Sequence, residues 1–215
     1  MNDSYFSGPN AALEAAIHAN DRAAVAAALR AGANANARGK QDVTPLMVAV
    51  DLGKLAAVTE LLAHKANPND KAIDGASPVS LAVESYKRQP DILMAVMNGG
   101  GDPNILRPNG DPVIIRFVND RNCDLIRQMK EFGANLDARS RTKDPLVIDA
   151  ALASDWDAVL CLIKLGANYR YEDSPYALSK LLADRYPGPG SPMYQYKMQV
   201  ADILRANGIA LPPMQ

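Results

Sequence analysis

The chain has 215 residues, 48% of them hydrophobic and 22% charged, a composition that supports a packed core and argues against disorder. Its 23 basic and 24 acidic residues leave a net charge of −1, which provides no field to hold nucleic acid or an anionic membrane. No run of about 18 apolar residues is present to span a bilayer as a helix.

The start, Met1 to Phe6, has neither the basic end nor the apolar stretch of a secretion signal. This leaves a cytoplasmic location, or a periplasmic one if a signal has been removed. Gly8-Pro9 breaks the backbone before an alanine-rich stretch with Leu13, Ile17, Val25 and Leu29, spaced for two short helices. From Thr44-Pro45-Leu46 a unit begins that recurs. Proline openings stand at Pro45, Pro78, Pro112, Pro145 and Pro175, in steps of 33, 34, 33 and 30 residues. The endings keep the same beat: Gly32-Ala33-Asn34, Lys65-Ala66-Asn67, Gly100-Gly101-Asp102, Gly133-Ala134-Asn135 and Gly166-Ala167-Asn168.

Each unit reads as a helix, a turn and a second helix. Proline is tolerated in the first turn of a helix. Thr44 is an expected N-cap, and Asp111 and Asp144 are expected to cap the later openings equally well. Val58, Leu61 and Leu62 form an apolar stripe in the second helix of the Thr44 unit, and Asp74-Gly75 signals a tight turn before the next unit. The expected repeats are 11–43, 44–76, 77–110, 111–143, 144–173 and 174–210, in one elongated domain. The last carries a proline- and glycine-rich insertion at about 186–193 that excludes helix and strand.

A period near 33 residues with this opening and ending resembles the ankyrin-repeat family over nearly the whole chain. The resemblance implies an all-α solenoid of stacked helix-turn-helix units with projecting finger loops. One departure runs through the array. The histidine of the family's Thr-Pro-Leu-His opening is gone, with Met47, Ser80, Ile114, Val147 and Glu14 at or near its place. That puts the geometry of the fingers in doubt and gives the array a bacterial look.

The chemistry-bearing residues do not converge in sequence. His18 and His64 fall in different repeats, and neither belongs to a metal or catalytic motif. The Gly99-Gly100-Gly101 run closes a helix rather than opening one, so it reads as a helix stop and not a phosphate loop. Trp156 is expected in the core. Cys123 opens a second helix and Cys161 lies in the middle of the next one. A disulfide needs Cα atoms within about 7 Å, so these unlike positions predict two free thiols.

An array of this kind implies a concave face made of first helices and finger tips. The candidate partner-binding residues are Arg38, Lys40, Asp51, Ile73, Asp74, Glu84, Tyr86, Arg107, Asn109, Asn119, Arg139, Arg141, Lys143, Tyr171, Tyr186 and Tyr194. Arg139, Arg141 and Lys143 alternate, which in extended chain puts all three on one side. The expectation is a non-catalytic protein-binding scaffold, monomeric when free, without cofactor or metal. The resemblance to small bacterial chains of this type narrows it to an inhibitor or immunity-type protein that neutralises an effector enzyme. A general adaptor is the alternative within the class, and a small-molecule-binding protein or enzyme is the alternative outside it.

Overall fold

The computed structural model describes residues 4–171, 176–184 and 187–213. Among the described residues the regular structure is helical. The helices are α1 (Pro9–Ala19), α2 (Arg22–Arg30), α3 (Pro45–Asp51), α4 (Leu55–Ala63), α5 (Pro78–Ser85) and α6 (Pro90–Asn98), then α7 (Ile115–Asn119), α8 (Cys123–Glu131), α9 (Leu146–Leu152), α10 (Trp156–Lys164), α11 (Leu178–Asp184) and α12 (Pro192–Ala206). Contacts divide the chain into two compact units, Met1–Asn109 and Gly110–Gln215. In the first, α1/α2, α3/α4 and α5/α6 are hairpins, with α1–α3–α5 and α2–α4–α6 as two layers. The second repeats the plan with α7/α8, α9/α10 and α11/α12, layered as α7–α9–α11 and α8–α10–α12.

The core is made by the apolar stripes. Leu13, Ile17, Leu46, Val58, Leu61 and Val79 are fully buried in the first unit, and Ile126, Met129, Leu146 and Trp156 in the second. Trp156 is a core residue, with the Lys197 ammonium of α12 6.0 Å from its ring centroid.

Thr44 caps α3 by accepting from the Met47 amide at 3.3 Å, and the Ser77 hydroxyl accepts from the Ser80 amide at 3.1 Å to cap α5. Asp111 and Asp144 do not cap. Beyond Asp111 the amides of Ile115, Arg116 and Phe117 each donate to the carbonyl three residues back, a tighter turn that delays α7 to Ile115. At Asp144 the carbonyl of Pro145 accepts the first helical bond, so the N-cap position passes to the proline and the aspartate falls one residue outside. Asp111 instead accepts the Arg141 amide at 2.8 Å.

Two of the three consecutive glycines matter for space and one for conformation. Gly100 has φ 96°, the left-handed turn that ends a helix. A Cβ at Gly99 would lie 2.7 Å from Leu62, and one at Gly101 would lie 3.0 Å from the Val96 carbonyl oxygen.

Polar residues in the turns that follow the second helices fasten one repeat to the next. Asn34, Asn67, Asp102, Asn135 and Asn168 each accept from the amide two residues on, at 2.8–3.0 Å, which folds the backbone into a tight Asx turn. The residue after that turn reaches to the next repeat. Asn36 donates to the Lys65 carbonyl at 3.0 Å and accepts the Asn67 amide at 2.7 Å; Asn69 does the same to the Gly100 carbonyl and Asp102 amide, at 2.9 and 2.7 Å. Asp137 accepts the Asn168 amide at 2.6 Å. The fingers of the first two repeats are also joined directly, by Ile73 donating to the Gln41 carbonyl at 3.0 Å.

The cysteines correct the sequence reading. Cys123 and Cys161 form a disulfide, with Cα atoms 5.9 Å apart. Stacked repeats meet front to back, so residues that touch occupy opposite faces of their helices and hence unlike positions. Cys161 stands five residues beyond Trp156, the counterpart of Cys123 at the start of α10. Five residues of helix turn a side chain by about 140°, which is the opposite face. The offset that argued against a bond is the one that stacking requires.

Two stability predictions follow from these fasteners. Asn69→Ala, which removes both bonds to the third repeat, is expected to cost about 1–2 kcal/mol in urea denaturation. The disulfide closes a loop spanning 38 positions. Cys123→Ser with Cys161→Ser, or full reduction, should destabilise the second unit by about 3–4 kcal/mol on the chain-entropy model. Hydrogen exchange resolved by residue should place that loss in 110–213.

Candidate protein-binding face

On the first unit an open groove of about 760 Å³ lies between the first helices and the fingers. Its wall at one end is the N-terminal segment. The carboxylate of Glu14 on α1 accepts the Ser4 hydroxyl, the Tyr5 amide at 3.0 Å and the Phe6 amide at 3.3 Å. The Tyr5 carbonyl accepts the Lys40 amide at 3.0 Å, and Phe6 packs where a Cβ on Gly39 would sit. Burial alone would raise the pKa of Glu14, but the Ser4 hydroxyl, the two amides and the nearby His18 hold it below the ordinary glutamate value. This strap leaves Tyr5 40% exposed at the edge of the groove.

The floor is apolar, and the polar lining combines carboxylates with the neutral Ser4 and Gln41. Glu14, Asp51 and Asp74 face the groove with His18, and among the described residues no lysine or arginine lines it. Asp74 caps its own turn by accepting the Ala76 amide at 2.9 Å, and Ile73 beside it is 75% exposed. The groove thus brings together Asp51 and Asp74 of the sequence-read candidates, with Ile73 and Lys40 exposed on the adjoining fingers.

Other candidates have duties within the fold. Arg38 donates to the Lys71 carbonyl at 2.7 Å and pairs with Asp70 at 3.1 Å, tying two fingers. Glu84 and Arg107 form an ion pair at 2.5 Å. Tyr86 is 6% exposed and belongs to the core. Asn109 and Asn119 are exposed.

In the second unit, Arg139, Arg141 and Lys143 are exposed but do not lie on one side of an extended strand. The chain reverses among them: Ser140 donates to the Asp144 carbonyl at 3.0 Å, Lys143 has φ 70°, and Arg139 folds back onto the Lys143 carbonyl at 2.7 Å. Asp149, at the foot of this finger, accepts from the Thr142 hydroxyl at 3.3 Å. Burial lifts its carboxyl above the ordinary aspartate value; the Ser140 and Thr142 hydroxyls oppose the rise and Asp144 and Asp111 add to it. Tyr171 and Tyr194 are half-buried, and burial followed by the Asp137 charge raises the Tyr171 phenol. Tyr186 lies outside the described residues.

Sequence reasoning missed Glu14 and Tyr5 as builders of the groove. The signal was present: a glutamate between Leu13 and Ile17 on a buried face requires partners.

Residues 41–73 match the family model of the ankyrin repeat. The chain contains an ankyrin repeat. A stretch of 103 residues is 29% identical to the E3 ubiquitin-protein ligase KEG of Arabidopsis thaliana, covering 48% of this chain and 6% of that protein. The chain therefore spans a small part of that relative's length. Ankyrin repeats are scaffolds for protein–protein interaction, and the all-α helix-pair plan of both units is the ankyrin solenoid plan. Among the described residues no group of His, Cys, Asp and Glu could hold a metal ion, and no helix is long and apolar enough to cross a membrane.

The strap supplies a pH-dependent prediction. Because Glu14 has a lowered pKa in the folded state, its contribution is present above the unfolded value and lost as pH falls through the folded one. Amide exchange at Tyr5 and Phe6 should therefore accelerate on acidification in the wild type. In Glu14→Ala it should be fast already at neutral pH, with a local loss of about 1–3 kcal/mol.

Proposed function

We propose that this ankyrin array is a non-catalytic scaffold that binds one protein partner through its first-helix and finger face, and that the partner is an effector enzyme which it neutralises as an inhibitor or immunity-type protein. The observation that carries the reading is the groove of the first unit. It is preformed, edged by a tethered strap, and flanked by exposed side chains that have no duty in the fold, Ile73 above all. A surface already ordered before binding loses little entropy on association, which favours the tight stoichiometric complex that an inhibitor needs.

The disulfide supports the oxidising of the two compartments open to the chain, since such bonds persist in the periplasm and outside cells and are rare in the cytosol.

The test is capture from native extract followed by reconstitution with the purified partner. The expected result is one dominant protein, bound with one-to-one stoichiometry by calorimetry, whose enzymatic activity falls in proportion to the chain added. A partner bound without loss of activity would make the chain an adaptor. Several partners of similar weak affinity would overturn the single-target reading.

A further inference from the structure

The repeats contain an internal comparison that points to the chemistry of the partner. Glu84 stands six residues after the proline that opens α5, and Asp51 stands six after the proline that opens α3. Arg107 stands five residues after Asp102, the residue that makes the Asx turn of its repeat, and Ala72 stands five after Asn67. The two pairs therefore hold the same places in consecutive repeats. In one, Glu84 and Arg107 close an ion pair at 2.5 Å across the face. In the other, the acid is kept and the cation is replaced by a methyl group. Asp51 and Ala72 both line the groove, and the groove occupies the space.

The charges around that space agree. The overall balance of the chain is even, yet among the described residues the groove lining has three carboxylates and neither lysine nor arginine. Two of the three are engaged, Glu14 by the strap and one oxygen of Asp74 by its own turn. Asp51 makes no hydrogen bond or ion pair among the described residues and is exposed. It is also the last residue of α3, where the helix dipole disfavours a negative side chain. A local rule broken without local compensation marks a position used for something else.

Resting on the scaffold reading above, we propose that the groove of the first unit receives an arginine side chain of the partner protein, which pairs with Asp51 in the place that Arg107 holds in the next repeat. The methylene stem lies along the apolar floor beside Leu52, which is 40% exposed. Tyr5 offers the guanidinium an aromatic face at the rim. Arginine is preferred over lysine because its planar fork engages a carboxylate through two parallel bonds.

The test uses amidated hexapeptides of neutral sequence with a central arginine, or with its uncharged isostere citrulline, titrated into the isotopically labelled full chain. The expected result is saturable shifts of the Asp51 and Ala72 amides with the arginine peptide, and binding weaker by about five- to tenfold with citrulline. Asp51→Asn should lose the difference between the two peptides. Ala72→Arg, which supplies the cation in cis, should block the arginine peptide while leaving the circular dichroism unchanged. Arg107→Ala should open a second site of the same kind at Glu84. Equal binding of the two peptides, no binding at millimolar concentration, or arginine binding unaffected by Asp51→Asn would each overturn the proposal. So would free arginine binding as well as the peptide, since the site would then serve a small molecule. A captured partner that binds Asp51→Asn and Ala72→Arg as tightly as the wild type would sink this inference and leave the scaffold reading intact.

Discussion

Everything in the two units depends on the side chain that follows each Asx turn. A helix hairpin of two short helices cannot bury its apolar stripe alone, so the repeats are stable only as a stack. Stacking, however, brings the turn at the end of each second helix beside its neighbour, and the amides and carbonyls of that turn must be satisfied. Asn36 and Asn69 do this with one amide group each, donating to one backbone carbonyl and accepting from one backbone amide of the next repeat. The same two bonds fix the spacing of the fingers. The groove, the Arg38 bridge and the Glu84–Arg107 pair all inherit their geometry from that spacing.

This explains how the array dispenses with the histidine of the family opening. Met47 and Ser80, which replace it, turn inward and accept from the amides of their own N-cap residues. Those bonds stay within a repeat. Bonds between repeats come instead from the asparagine ladder and, at the fingers, from Arg38 and the Ile73 amide. Glu14 has the same place in the first repeat and uses it differently, to hold the N-terminal segment against α1.

The helix pairs were legible because their signals are local and periodic. Prolines at the first turn, glycines past the last, and apolar residues at helical spacing each act within a few positions of themselves. What failed to read were relations between repeats. The caps at Asp111 and Asp144 depend on which residue starts the helix, and the turns before α7 and α9 shift that by a few residues. The alternation of Arg139, Arg141 and Lys143 assumes an extended chain, and the hairpin at Lys143 removes it. Tyr86 follows Val79 by seven residues and Ala82 by four, so helical spacing already puts it on the buried stripe of α5, a relation that reading it as the exposed end of the helix overlooked. Asp51 and Asp74 were readable as exposed positions, yet the groove between them was not. It is made by an absence at Ala72, and only comparison with Arg107 shows what is missing.

The disulfide has a consequence for how the chain withstands cutting. Exposed loop tips with polar residues are preferred sites of proteolytic nicking, and lysine and arginine there admit trypsin-like proteases. The finger carrying Arg139, Arg141 and Lys143 is such a tip, and it lies inside the stretch that the bond between Cys123 and Cys161 closes. A cut there separates the sequence into two pieces but not the molecule. The flanking helices α8 and α10 remain joined through their sulfur atoms, packed against each other as before. In denaturant, where packing no longer holds the pieces, nicked protein would keep its size until a reductant is added.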